Sequence, residues 1–216
     1  MKPLTRRSAL GLAAAAAAAP LTATLPARAS QAIRLSIDQW TNVSSYRPDK
    51  SYWVVNPRDP DVEDRDARDA ARTGRMYSSD PANVWRSFFR VPVAALAGRS
   101  ILDAYFTILL THSATGTPTP VHLFHVRDID PAVPLTWGNS ADSWLTQAGT
   151  ASGSSYGSQP DQELQFSTDA LRSVVQAAAT LQSPFLSFGL RNLDENNQFH
   201  WKKYRATSAA LTVFYD

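Results

Sequence analysis

The sequence predicts an all-β, mainly antiparallel fold: a jelly-roll-like β-sandwich with one or two short helices. Two observations predict this class. Short segments of alternating apolar and polar residues recur along the chain, and turn residues rather than helices separate most of them. Because successive side chains of a strand point to opposite faces, a period of two indicates a strand with one face on a core.

The strand signal is clearest in residues 101–111 and recurs in eight shorter segments. The predicted inward face of residues 101–111 consists of Leu102, Ala104, Phe106, Ile108 and Leu110. The other predicted strands, in chain order, are residues 34–38, 52–55, 85–91, 120–126, 164–166, 186–190, 199–204 and 209–215. Their short length and the absence of a strand–helix–strand rhythm favour antiparallel pairing.

The clearer of two predicted helices begins near residue 168. Its apolar face is formed by four residues at helical spacing: Leu171, Val174, Val175 and Ala178. Thr168 or Ser167 is the expected N-cap, because a side-chain oxygen at that position accepts a hydrogen bond from the first turn. We expect this helix to lie across one end of the sandwich.

Residues 59–72 form the most charged run of the chain and predict a solvated helix or loop. Asp59 suits the N-cap and Pro60 the first helical position, and Gly74 is a natural stop. Five acidic residues also suggest a calcium-binding loop: Asp59, Asp61, Glu63, Asp64 and Asp66. Since the interleaved arginines would repel a cation, structural calcium is the less favoured alternative, and no other cofactor is expected.

Residues 1–29 predict an export signal. Arg6 and Arg7 precede an apolar, alanine-rich segment, and Ala27 and Ala29 form a small-residue cleavage site. Paired arginines before a weakly hydrophobic segment resemble a twin-arginine signal, which implies a bacterial protein exported in the folded state by that machinery. An ordinary secretory signal with two arginines is the alternative. Cleavage would leave residues 30–216 as one secreted, extracellular or wall-associated domain.

The net positive charge of the chain comes from this predicted export signal, the leader of residues 1–29. The chain has 21 Lys and Arg against 19 Asp and Glu, and four of the cations lie within residues 1–29, which leaves 17 against 19 and a formal charge of −2. A nucleic-acid-binding protein would keep a concentrated positive surface. No cysteine is present, and no later segment approaches the roughly 20 apolar residues of a membrane span. We therefore expect a soluble mature domain without disulfides, nucleic-acid partners or a membrane span.

Three segments, taken in order, resemble a known module. The first is residues 86–106. The second is Leu135-Thr-Trp-Gly-Asn139, followed closely by Trp144-Leu145. The third combines Phe188-Gly-Leu-Arg191, Asp194-Glu195, Trp201-Lys-Lys-Tyr204 and the closing strand 210–215. Together they resemble the DNRLRE-type modules of secreted actinobacterial proteins. The resemblance implies a β-sandwich of the kind attached to wall-associated or carbohydrate-active chains. Trp137 and Trp144 are expected to fix a long loop to this sandwich.

The sequence offers no evident catalytic or metal-binding arrangement. Four histidines are present: His112, His122, His125 and His200. His122 and His125 are three residues apart on a predicted strand, so they should point to opposite faces and not share one metal ion. There is no nucleophile-elbow motif, and none of the three glutamates lies mid-strand where a glycosidase pair would face one groove.

Aromatic residues are better candidates for a functional site than the histidines and carboxylates, and the function they suggest is binding. The chain has six tryptophans and seven tyrosines. Flat rings stack on sugar faces while nearby polar groups hydrogen-bond the hydroxyls. The candidate ligand-binding residues are Trp40, Tyr46, Tyr52, Trp53, Trp201, Lys202 and Tyr204. Core packing is the alternative role for each of them.

The sequence therefore favours an exported, non-catalytic module that binds a polysaccharide or cell-wall glycan by aromatic stacking. One alternative is a structural or protein-interaction module of the cell surface. The second is a carbohydrate-active enzyme whose carboxylate pair is not evident. Exposed aromatic rings beside polar groups would favour the glycan-binding module. An apolar surface patch would favour the protein-interaction module, and two facing carboxylates would favour the enzyme.

Overall fold

The structure is a computed structural model, and it describes residues 30–53, 70–76 and 83–216. The predicted export signal, with Arg6, Arg7, Ala27 and Ala29, lies outside the described residues. So does most of the charged run, from residue 59 to residue 69.

The described residues form eleven strands and one α-helix. The strands are β1 (Gln31–Ser36), β2 (Gln39–Ser44), β3 (Tyr52–Trp53), β4 (Ala70–Arg75), β5 (Val84–Pro92), β6 (Ile101–Ser113), β7 (Thr119–Val126), β8 (Trp144–Gly153), β9 (Gln162–Ser167), β10 (Phe185–Arg191) and β11 (Lys202–Tyr215). The helix α1 (Asp169–Leu181) connects β9 to β10. Short 3₁₀ turns occupy Ala94–Leu96, Ala141–Ser143 and Gln198–His200.

All strand pairs are antiparallel, and they form two sheets that share β4. The smaller sheet contains β1, β4, β11, β6 and β9, and the larger contains β3, β2, β5, β10, β7 and β8. Strand β4 pairs with β11 through residues 70–73 and with β5 through Gly74 and Arg75. A backbone φ of 85° at Gly74 allows this change of sheet, because only glycine adopts it at little cost.

The two ends of the strand order, β8 and β9, lie against each other, so the sandwich is nearly closed like a barrel. Glycines make this approach close: a Cβ on Gly149 would lie 3.1 Å from Phe166 Cβ. The all-β, antiparallel prediction is therefore confirmed.

The main core fills the space between the sheets, and β6 supplies its centre. Ala104, Phe106, Ile108 and Leu110 are all fully buried, as their alternation predicts. Leu102 departs from the prediction because it is 44% exposed. A register shift between Phe214 and Tyr215 of β11 pairs Tyr215 with Ile101, and Ile101 is the residue that is buried there.

Helix α1 follows the predicted pattern. Thr168 is the N-cap, and its Oγ1 accepts a hydrogen bond from Leu171 N at 3.1 Å. The buried side of the helix consists of Leu171, Val175, Ala178 and Ala179. This side packs against β6 and β8, so the helix covers part of the gap beside the edge strand β8.

Two predictions of local structure are corrected. The predicted helix of residues 59–72 does not extend to its end, because Ala70–Arg75 form strand β4. Buried polar side chains hold this backbone: Asn42 Nδ2 donates to Ala70 O at 3.0 Å, and Ser87 Oγ donates to Arg72 O at 2.8 Å. Residues 199–204 are not one strand, because Gln198–His200 form a 3₁₀ turn before β11 begins.

Candidate functional site

The outer face of the larger sheet, on the side away from the main core, carries a second apolar cluster. Its buried members are Val43, Phe88, Phe124, Val126 and Ile129, and Leu135, Trp137 and Trp144 pack against them. The segment between β7 and β8 therefore folds over this face. The prediction that Trp137 and Trp144 fix a long loop to the sandwich is confirmed.

Trp144 forms the floor of this outer face. Its ring centroid lies 5.0 Å from that of Phe88 and 5.3 Å from that of Phe124. Gly189 of β10 lies beneath the indole, and a Cβ at this position would be only 2.7 Å from Trp144 Cζ3. The missing side chain lets the ring lie directly on the sheet.

Arg86 of β5 connects the two tryptophans. Its guanidinium carbon lies 4.0 Å from the ring centroid of Trp137 and 5.7 Å from that of Trp144. Glu195 holds the same guanidinium with two hydrogen bonds of 2.7 Å, from Nε and from Nη2. A bidentate pair fixes an arginine more firmly than a single contact does, so Arg86 supports the Trp137 ring in a defined position.

Arg191, at the end of β10, lies over the other side of the aromatic floor. Its guanidinium carbon is 4.4 Å from the ring centroid of Trp144 and 4.5 Å from that of Phe124. Burial lowers the pKa of Arg191, and the positive charge of Arg86 lowers it further, whereas Glu195 opposes the shift. The group nevertheless stays protonated at any physiological pH, because a guanidinium is not deprotonated in proteins.

A row of polar side chains continues the face towards β8. Arg191 is the cross-strand neighbour of His122, and His122 that of Thr150. His122 Nδ1 lies 2.9 Å from Thr150 Oγ1, and Gln147 Nε2 donates to Thr150 Oγ1 at 3.0 Å. Burial, followed by the charges of Arg191 and His200, lowers the pKa of His122, so its imidazole is neutral at pH 7.

We call this surface the polar–aromatic face. It consists of Arg86, His122, Trp137, Trp144, Gln147, Thr150, Arg191 and Glu195. Gln147 and Thr150 are exposed, and His122, Trp137 and Arg191 are partly exposed. The face thus offers aromatic rings, charged groups and neutral hydrogen-bonding groups side by side, on four strands of the larger sheet and on the loops that carry Trp137 and Glu195.

Burial corrects the prediction for three of the candidate ligand-binding residues. Trp40, Lys202 and Tyr204 are core side chains and offer no ring or ammonium group to a surface ligand. Tyr204 Oη lies 3.0 Å from Thr73 Oγ1, and Lys202 Nζ contacts Thr119 Oγ1. The alternation of β11 turns Lys202 and Tyr204 inward, to the same side of the strand.

The remaining candidates lie in two places. Tyr46 is 51% exposed, and Tyr52 packs edge-on against Trp85 with 5.2 Å between ring centroids. Trp53 pairs through its backbone with Thr41, and its side chain is outside the described part of the chain. Tyr46 lies in the connection between β2 and β3, and Tyr52 is the first residue of β3.

Trp201, by contrast, precedes β11 of the smaller sheet. It is partly buried between His112, at 5.2 Å between ring centroids, and Lys203, whose Nζ is 5.5 Å from the ring centroid. Trp201 and Tyr52 thus have different ring partners, His112 and Trp85.

The sequence did not show that Arg191, His122 and Gln147 lie on one face, because the three residues come from separate strands of the larger sheet. A usable signal was present in Phe188-Gly-Leu-Arg191. A glycine inside a strand pattern indicates a close approach by another group, which here is the Trp144 ring.

The histidine and acidic side chains of residues 30–53, 70–76 and 83–216 are placed as follows. No group of three or more acidic or histidine side chains in these ranges is placed to hold a metal ion. His125 lines a cleft beside α1, whereas His122 contacts Thr150 on the outer face, as the strand alternation predicts. Glu163 lies on β9 of the smaller sheet, whereas Glu195 is paired with Arg86 on the outer face of the larger one. No described helix has the length and apolar character to cross a bilayer.

Comparison with known proteins gives no assignment. No protein-family model matches the chain, and no curated protein matches it either.

Proposed function

We propose that this chain is an exported, non-catalytic module that binds a polysaccharide or a cell-wall glycan through the polar–aromatic face. One observation carries the proposal: a supported tryptophan ring and exposed amide and hydroxyl groups share one face of a rigid sheet. Sugar rings present apolar C–H faces and a rim of hydroxyls. A site for them therefore needs both kinds of group.

The two parts of the face have different roles in this proposal. Trp137, held from one side by Arg86, offers a flat surface for a sugar ring. Gln147 and Thr150 hydrogen-bond the hydroxyls, and His122, whose Nδ1 faces Thr150, adds a neutral imidazole. The bidentate Arg86–Glu195 pair reduces the side-chain entropy lost on binding, because Trp137 is already supported.

Location is the second part of the proposal. The leader with Arg6 and Arg7 directs export by the twin-arginine route, and the module works outside the cell or at the wall of a bacterium. The cysteine-free composition of residues 30–216 suits folding before export, since no disulfide has to form afterwards.

The test is retention of the purified protein on insoluble polysaccharides and on purified cell wall. We expect the wild type to be retained on at least one of them. Trp137→Ala should reduce the retained fraction at least tenfold, and Gln147→Ala several-fold. Gln165→Ala is the matched control, because Gln165 is also exposed on an edge strand but belongs to the opposite sheet. Urea unfolding of each variant confirms that the fold is kept.

Two results would contradict the proposal. One is no retention of the wild type on any glycan or on cell wall. The other is equal loss in Gln147→Ala and Gln165→Ala, which would show that the outer face of the larger sheet has no special role.

A cleft beside α1 favours a cell-surface protein-interaction module as the second candidate function. The cleft has a volume of about 510 Å³ and apolar walls from Val174 and Leu186. Leu145 and Leu181, at its margin, are 49% and 77% exposed. Retention on cell wall that is lost in Leu181→Gln but kept in Gln147→Ala would favour this candidate over glycan binding.

A further inference from the structure

We propose that the glycan bound by this face is acidic, and that Arg191 binds its carboxylate or phosphodiester groups. The inference rests on the proposed function and specifies its ligand class. It follows from a comparison of the three arginines on the outer face of the larger sheet.

Two of these arginines are already neutralised by a carboxylate. Arg86 donates to Glu195 through two hydrogen bonds of 2.7 Å. Arg90 donates to Asp38 through two hydrogen bonds of 3.1 and 2.8 Å. In both cases the planar guanidinium meets a carboxylate in the bidentate geometry that gives the strongest pairing.

Arg191 differs from both. No carboxylate of the described residues forms an ion pair with it, and its Nε is buried without a hydrogen-bond partner. The rings of Trp144 and Phe124 offset part of its charge, but an aromatic ring supplies no oxygen acceptor for the N–H groups. A buried donor without a partner is costly to the fold, and the partly exposed guanidinium still has N–H groups that an oxygen acceptor can engage.

The surroundings of Arg191 complete an anion site. His122 and Thr150 follow it across the sheet, and both are neutral groups able to donate a hydrogen bond. Glu195, whose charge acts on Arg191, is engaged by Arg86, so it repels an incoming anion only weakly. Counting Arg86, Arg191 and Glu195, the face carries one net positive charge, although residues 30–216 together are negative.

The experiment compares one polymer with and without its charge. Oligogalacturonate is immobilised on a sensor surface beside its fully methyl-esterified form, which has the same rings but no carboxylates. The full chain should bind the free acid at least tenfold more tightly than the ester, with a preference that weakens as salt is raised. Cell wall before and after removal of its phosphodiester polymers tests the second source of anionic groups.

Arg191→Met keeps the apolar stem on Trp144 and removes the charge. We expect it to lose at least tenfold in binding of the acidic polymer and to lose the preference for the acid over the ester. Arg90→Met is the matched control, because Arg90 lies on the same face but is paired with Asp38. Arg191→Lys should recover part of the affinity. Thermal unfolding of each variant separates loss of binding from loss of fold.

The outcomes distinguish this inference from the function on which it rests. Preference for the acid or for phosphodiester-bearing wall, lost in Arg191→Met, supports the inference. Equal binding of acid and ester, or equal loss in Arg191→Met and Arg90→Met, overturns it but leaves a neutral glycan as the ligand. No binding of any glycan overturns both.

Discussion

At the residue scale, Lys202 places an amine inside the sandwich. Its side chain is fully buried, and its Nζ contacts Thr119 Oγ1 rather than a carboxylate. Burial lowers its pKa to about 8 from an ordinary value of 10.5. Between these two values the unfolded chain binds more protons than the folded one, so the stability contributed by this group rises with pH across that window.

Replacement of Lys202 tests whether its buried amine makes the free energy of unfolding depend on pH. From about pH 8 to about pH 10 the wild type should gain roughly 2 to 3 kcal/mol of unfolding free energy relative to Lys202→Met, because the shift of the lysine pKa is lost in the variant. Urea unfolding at pH 7, 8, 9 and 10 measures this difference. Lys203→Met is the control, since Lys203 is the partly exposed neighbour beside Trp201. An identical pH dependence of wild type and Lys202→Met would contradict the burial of the amine.

At the scale of single elements, periodicity predicted some parts of the fold and missed others for physical reasons. Helix α1 was predictable because its 3.6-residue pattern and its Thr168 cap are both local. Strand β2 was missed because its buried residues include Thr41, Asn42 and Ser44, which in sequence are typical of a turn. Strand β8 was missed because a register shift in its pairing with β7 and its small buried residues, such as Ala148 and Gly149, leave no alternation of apolar and polar residues.

The N-cap of α1 also joins the helix to the sheet. Thr168 Oγ1 accepts from Leu171 N at 3.1 Å and donates to Ala148 O at 2.5 Å. Thr168→Ala should lower the free energy of unfolding by about 1 to 2 kcal/mol, because it removes both hydrogen bonds. Chemical denaturation measures this, with Thr180→Ala as the matched control on the exposed side of the same helix. Equal effects of the two substitutions would mean that the cap does not hold the helix to β8.

At the scale of the whole molecule, the sheet class was predictable and the candidate site was not. Alternating strands such as β6 predict an antiparallel sandwich from local sequence alone. The polar–aromatic face joins Arg86 of β5, His122 of β7, Gln147 of β8 and Arg191 of β10, whose proximity depends on strand order. Sequence reasoning chose Trp40 and Tyr204 instead, because composition cannot separate a core aromatic residue from a surface one.

Binding of a glycan by the polar–aromatic face can be observed residue by residue in a chemical-shift titration. Isotope-labelled protein is titrated with whichever glycan retains it. Binding at this face should shift the Trp137 indole N–H and the Gln147 side-chain amide and leave the Gln165 amide unchanged. Shifts confined to the smaller sheet or to the cleft beside α1, with Trp137 and Gln147 unmoved, would contradict it.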